Sequence, residues 1–161
     1  MSALPRRIVV TGLGAVTPLG TGVENFWKAL LDGECGVGPI TVFDPSDYPT
    51  RIAAEVKGFD NSEFFDRKDA RFMARGTQFG VAAALMAAKH ANWQNAPGDG
   101  KTAVVNGVSN SAQDAVEAGV HTLLEHGYRR LMPYVLTKSF PHSTASEAGR
   151  LTGFQSQVLT M

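Results

Sequence analysis

The chain has 161 residues, enough for one domain with a substantial core, and its 15 Lys and Arg side chains balance 15 Asp and Glu. That balance leaves no electrostatic case for nucleic acid or for an anionic membrane surface as partner. The single cysteine, Cys35, excludes an internal disulfide framework and fits a reducing compartment. No apolar run reaches membrane-spanning length, and the N-terminus has no apolar stretch of signal-peptide length, so a soluble, cytoplasmic protein is expected.

In chain order, Ile8–Val10 reads as a buried strand: three consecutive β-branched residues suit a strand covered on both faces. A turn rich in Gly and Thr follows, where Gly12, Gly14 and Gly20 allow close backbone approach. Gly12-x-Gly14 after a strand also suggests a dinucleotide site. Thr17 stands where that fingerprint needs its third glycine, Pro18 breaks the turn, and the helix begins too late, so the glycines read as structural. Val23 to Leu31 carries Val23, Phe26, Trp27, Leu30 and Leu31 at helical spacing, with Asp32-Gly33 ending the helix. A loop over 34–40 precedes a short excursion strand over Arg51–Val56, and Asn61–Phe65 forms a brief helical turn.

Asp66 is the expected cap of one long helix with Phe72, Gly76, Phe79, Ala83 and Met86 or Ala87 on its inner face. Gly76 and Gly80 weaken that helix by about 1 kcal/mol each, and close approach to another element is the expected compensation. Trp93 to Gly100 is a polar loop. Thr102–Val105 is the second core strand, ending at Asn106-Gly107-Val108-Ser109-Asn110-Ser111. Ser111 is placed to cap a helix from Ala112 to about His126 with Ala115, Val116, Gly119, Val120, Leu123 and Leu124 on its apolar face; Gly127 ends it. Met132 to Pro141 reads as irregular between its prolines. Thr144 to Leu151 forms a short helix with Ala145, Ala148 and Gly149 toward the sheet, and Gln157–Met161 begins a third strand. Strands alternating with helices give an α/β fold.

The stretch Val9-Val10-Thr11-Gly12-Leu13-Gly14-Ala15-Val16-Thr17-Pro18-Leu19-Gly20 resembles the opening of the β-ketoacyl-acyl-carrier-protein synthases, the elongating condensing enzymes of fatty acid and polyketide synthesis. The likeness continues through Phe26-Trp27-Lys28-Ala29-Leu30-Leu31, Gly33, Gly36-Val37, Phe43-Asp44 and Arg67-Lys68-x-x-Arg71-x-Met73, with Ala74 where the family usually has an acid. It implies a thiolase-like layered α/β/α fold. Residues 1–161 would be an incomplete N-terminal domain, the first part of the N-terminal half. The implied activity is decarboxylative Claisen condensation of an acyl thioester with malonyl-acyl-carrier-protein. Acyl carrier protein and acyl thioesters are the implied partners, and no cofactor is called for.

Such a reaction needs a thiolate, two imidazoles and backbone donors for the tetrahedral intermediate. The resemblance places the reactive cysteine just after the strand that begins at Gln157, and the histidines far downstream. No catalytic residue is therefore assigned within 1–161, and the chain alone is expected to be inactive. A truncated frame, a first half completed by a separate second half, and a non-catalytic partner subunit all stay open. The strand at Gln157 would pair with its twin across a homodimer.

The resemblance offers Val108, Ser109 and Asn110 as residues bordering an acyl-chain tunnel, at the end of a core strand where α/β sheets place ligands. Capping of the next helix is the alternative role for this polar loop. Tyr134, with Val135, matches a stretch reaching toward a partner's tunnel. Cys35 sits in a loop beside Glu34, with no histidine close in sequence to activate it. His121 and His126 are five apart, where a zinc helix wants four. His90 ends the long helix, where a cation favours exposed carbonyls. His142 has no nearby acid for a triad. No metal site is expected.

Overall fold

The computed structural model describes residues 7–93, 101–110 and 112–161. A small antiparallel hairpin comes first, β1 (Val16–Thr17) with β2 (Gly20–Thr21), followed by helix α1 (Val23–Leu31). Within the hairpin the Thr17 hydroxyl accepts from the Leu19 N–H at 3.2 Å and donates to the Gly20 carbonyl at 3.1 Å. Helix α1 has the expected bounds, and Gly33 takes the left-handed conformation (φ 72°) that ends it. A second antiparallel pair joins β3 (Gly38–Pro39) to β4 (Ile52–Ala53), so the loop over 34–40 contains a strand residue pair the sequence did not announce. Asn61–Glu63 is a 3₁₀ turn capped by the Asp60 carboxylate, which accepts from the Ser62 N–H.

The single long helix expected from Asp66 is two helices, α2 (Arg67–Phe72) and α3 (Arg75–His90). Asp66 does cap α2, accepting from the Asp69 N–H at 2.7 Å. Met73 and Ala74 then turn extended (ψ 134° and 162°) because both side chains are drawn into the core, 1% and 2% exposed. Ala74 has no side chain with which to cap α3. The Asp114 carboxylate, from a distant helix, accepts from the Arg75 N–H at 3.2 Å instead. Gln78 braces the break, donating to the Ala70 carbonyl at 3.2 Å and accepting from Asn61 at 3.1 Å.

Strand β5 (Ala103–Asn106) is followed by α4 (Gln113–His126), a 3₁₀ turn over Tyr128–Arg130, α5 (Val135–Ser139), α6 (Ser143–Thr152) and β6 (Gln157–Thr160). The stretch expected to be irregular thus holds one short helix, α5. The expected cap Ser111 lies outside the described residues. Strands β5 and β6 run parallel, in the register Ala103 to Gln157 through Asn106 to Thr160. Parallel strands need a long crossover, and α4 to α6 provide it.

Helices α3 and α6 pack directly on each other. Thr77 and Thr144 are buried between them, joined by a hydroxyl–hydroxyl bond of 3.2 Å. A side chain at Gly80 would lie 2.6 Å from Thr144 Cγ2, so the helix-weakening glycine is explained by close approach, as expected. The inner face of α3 is Thr77, Val81 and Ala82, rotated from the predicted Phe72–Gly76–Phe79–Ala83 stripe. The offset follows from where α6 lands on α3: Thr144 meets Thr77 and Gly80, which turns that face inward. On α6 the expected face is correct: Ala145 and Ala148 are buried, and Gly149 lies under Val104 of β5 and Val158 of β6. The core cluster joins Phe59, Phe65, Met73, Val81, Ala82 and Ala148.

Ile8–Val10 is not a buried strand. The segment has no ladder partner among the described residues, and Ile8 is 93% exposed. Its direction is set two residues later, where Gly12 and Gly14 press against α3. A Cβ on Gly12 would sit 2.8 Å from the Ala91 nitrogen, and one on Gly14 would sit 2.9 Å from the Ala87 nitrogen and collide with the Ala83 carbonyl oxygen. Leu13, between them, donates its N–H to His90 Nδ1 at 3.1 Å. The Gly-x-Gly pattern therefore seats an extended segment on the Ala83–Ala87–Ala91 edge of a helix, which leaves no room for a pyrophosphate at those two glycines.

Candidate functional site

The loop after β5 begins where Met161 N–H donates to the Asn106 carbonyl at 2.9 Å and Val108 N–H donates to the Met161 carbonyl at 3.0 Å. These two bonds extend the parallel pairing past the strands and fix the start of the loop at the C-terminal end of the sheet. Val108 is half-buried there, while Ser109 and Asn110 are exposed. Asn110 donates from its side chain to Gln113 Oε1 at 3.2 Å, a contact across the start of α4. The polar loop thus has a local tie to the next helix as well as a place at the strand end.

Tyr134 stands at the N-terminus of α5, its ring 4.5 Å from that of Phe72 at the end of α2. It lines a cleft of about 420 Å³ with Phe72, Thr137, His142 and Ser143, and Val108, Ser109 and Asn110 do not line it. The four expected substrate residues are therefore in two places. Phe72, read from sequence as a core position, is instead half-buried with its ring tilted at 51° against that of Tyr134. A larger cleft, about 560 Å³, lies between the C-terminal ends of α3 and α6, lined in part by Phe64, Leu85, Lys89, Trp93 and Arg150. Its Arg150 guanidinium is held by Asp69 at 2.6 Å and Glu147 at 2.8 Å, and no expected site residue borders it.

Among the described residues no reactive centre forms around the thiol. Cys35 is exposed, its Sγ 4.0 Å from the Val37 carbonyl oxygen. Each histidine is engaged elsewhere. His121 and His126 both lie 3.9 Å from Glu125, and His142 stacks on Phe140 at 5.2 Å. His90, in the last turn of α3, also accepts the Leu13 N–H at Nδ1 and so helps to hold the N-terminal segment. Among the described residues no group of His, Cys, Asp and Glu could hold a metal ion. None of their helices is long and apolar enough to cross a membrane.

The family model for the β-ketoacyl synthase N-terminal domain matches residues 5–160. The chain belongs to this family. It is 34% identical over 151 residues to 3-oxoacyl-[acyl-carrier-protein] synthase 2 of Vibrio harveyi, covering 93% of this chain and 36% of that protein. It is 38% identical over 151 residues to the synthase of the same description from Synechocystis, covering 91% of this chain and 35% of that protein. Among solved structures, the ishigamide ketosynthase/chain length factor superposes with a TM-score of 0.81 at 25% identity, covering 97% of this chain and 40% of that one. The chain therefore spans about a third of the length of the curated relatives it matches. Its α/β fold is that of the ketosynthases.

Proposed function

We propose that these 161 residues form an incomplete N-terminal domain of a layered, thiolase-like α/β/α condensing enzyme. The reaction is decarboxylative Claisen condensation. Malonyl-acyl-carrier-protein loses carbon dioxide, the resulting carbanion attacks the carbonyl of an enzyme-held acyl thioester, and the thiolate leaves. The reacting thiol and its imidazoles lie outside these residues; what the chain contributes is the frame and part of the acyl-binding wall. Val108, Ser109 and Asn110 border the acyl chain from the C-terminal end of β5, and Tyr134 contributes from α5. Acyl carrier protein and acyl thioesters are the partners, and the setting is cytoplasmic.

The observation that carries this reading is the family match over residues 5–160. The uncovered face of the sheet supports it. Val105 and Leu159 are register partners on the side of β5 and β6 away from α6, 56% and 52% exposed. Apolar pairs of this kind expect a covering layer. On the far side of β6 no strand pairs among the described residues, which favours association with a twin chain or a complementing second half along that edge. A chimera tests the proposal: residues 1–161 joined to the remainder of the Synechocystis relative, assayed with acyl- and malonyl-acyl-carrier-protein. Condensation is expected. A folded chimera without turnover contradicts the proposal.

A further inference from the structure

Asn106 closes β5, Thr160 closes β6, and the two are register partners in the parallel pair. Strand alternation puts Asn106 on the face of Val104 and Thr160 on the face of Val158. That face lies under α6, because both valines sit against Gly149, with their Cγ2 atoms 3.8 Å and 3.3 Å from where its Cβ would be. Asn106 Nδ2 and Thr160 Oγ1 are sealed from solvent, and neither has a hydrogen-bond partner among the described residues. Beside them the Asn106 carbonyl accepts from the Met161 N–H, so the orphaned atoms at this strand end are side-chain ones.

An amide N–H and a hydroxyl in register on neighbouring strands would bond to each other if they came within reach. They do not, although adjacent strands lie only about 4.8 Å apart. Buried polar groups in this position are satisfied by a third party, and native proteins seldom leave two such groups orphaned side by side. The third party must accept from the amide and also pair with the hydroxyl. Closure to solvent excludes a substrate atom, whereas a water molecule both accepts and donates and is the usual occupant of such sites.

We propose that one internal water bridges Asn106 Nδ2 and Thr160 Oγ1, tying the ends of β5 and β6 together beneath α6 where the chain departs into the 107–110 loop. The inference is independent of the condensing reaction. A crystal structure of the unaltered protein should show one ordered water within hydrogen-bonding distance of both atoms; a direct Asn106–Thr160 hydrogen bond, or a dry gap, would overturn it. Thermal midpoints of Asn106→Leu, Thr160→Val and the double variant give a second measurement. Each single change strands the water and the remaining partner, so the midpoint should fall, while the double variant should lose less than the sum of the singles. Strictly additive losses would count against a shared water. Thr160→Ser keeps the hydroxyl and should hold the midpoint near the unaltered value. If Asn106→Leu does not fold, the crystallographic result decides.

Discussion

Replacing Gly14 by alanine should destabilise the protein through one contact. The backbone at Gly14 is not left-handed, so the substitution carries no conformational penalty of its own. The added methyl would instead collide with the Ala83 carbonyl oxygen and come within 2.9 Å of both the Ala83 carbonyl carbon and the Ala87 nitrogen. All of these are backbone atoms of α3, fixed by the helix's own hydrogen bonds, so no side chain can swing aside. The N-terminal segment must lift from the helix, and the cost belongs with overpacked cores, about 1–3 kcal/mol. At about 2–4 °C per kcal/mol for a chain of this size, the thermal midpoint should fall by about 2–12 °C. Gly38→Ala is the control. Its added methyl meets nothing within 4 Å, so reduced freedom of the unfolded chain should leave stability unchanged or raised by up to about 1 kcal/mol. Paired thermal and urea denaturation of the two variants is the assay. Equal midpoints for Gly14→Ala and Gly38→Ala would refute the seating of this segment on α3.

Gly80→Ala should also destabilise, since its methyl would meet Thr144 Cγ2 at 2.6 Å. In a Thr144→Ser background, which removes that methyl, the same change should become neutral or stabilising by up to about 1 kcal/mol; persistence of the loss in urea unfolding would contradict the helix contact. Asp66→Ala removes the cap of α2 and should cost about 1 kcal/mol by denaturant unfolding, while Asp66→Asn should retain most of it. The Glu55 carboxylate accepts from the Thr41 hydroxyl at 2.6 Å and the Thr41 N–H at 2.8 Å, which hold its pKa below the ordinary 4.5. Between the lowered folded value and 4.5 the unfolded state binds more protons, so this contribution is complete above 4.5 and is lost as pH falls through the folded value. Thr41→Val should move the Glu55 titration upward in carbon-detected NMR, and an unmoved titration would remove the hydroxyl as its principal cause.

Local signals in the sequence were reliable where a residue acts on its own neighbours. The bounds of α1, the ends at Gly33 and Gly127, the cap at Asp66 and the inward face of α6 all follow from short-range chemistry or from periodicity within one element. The misses are where the partner is distant. The break at Met73–Ala74 depends on burial of both side chains and on a cap supplied by Asp114, which no window around residue 74 contains. Ile8–Val10 has the composition of a buried strand, but a strand exists only where another strand meets it, and composition carries no information about that neighbour. The candidate site was legible only through resemblance. Nothing in the spacing of Val108, Ser109, Asn110 and Tyr134 unites them, and the chain places the last apart from the other three.

No acyl-accepting thiol is expected to operate within these residues, Cys35 included. Intact-mass spectrometry after incubation with acyl-acyl-carrier-protein tests this most directly. The chain is expected to keep its unmodified mass, with no turnover when malonyl-acyl-carrier-protein is added. An acyl adduct mapping to Cys35, formed at a rate that supports condensation, would contradict it.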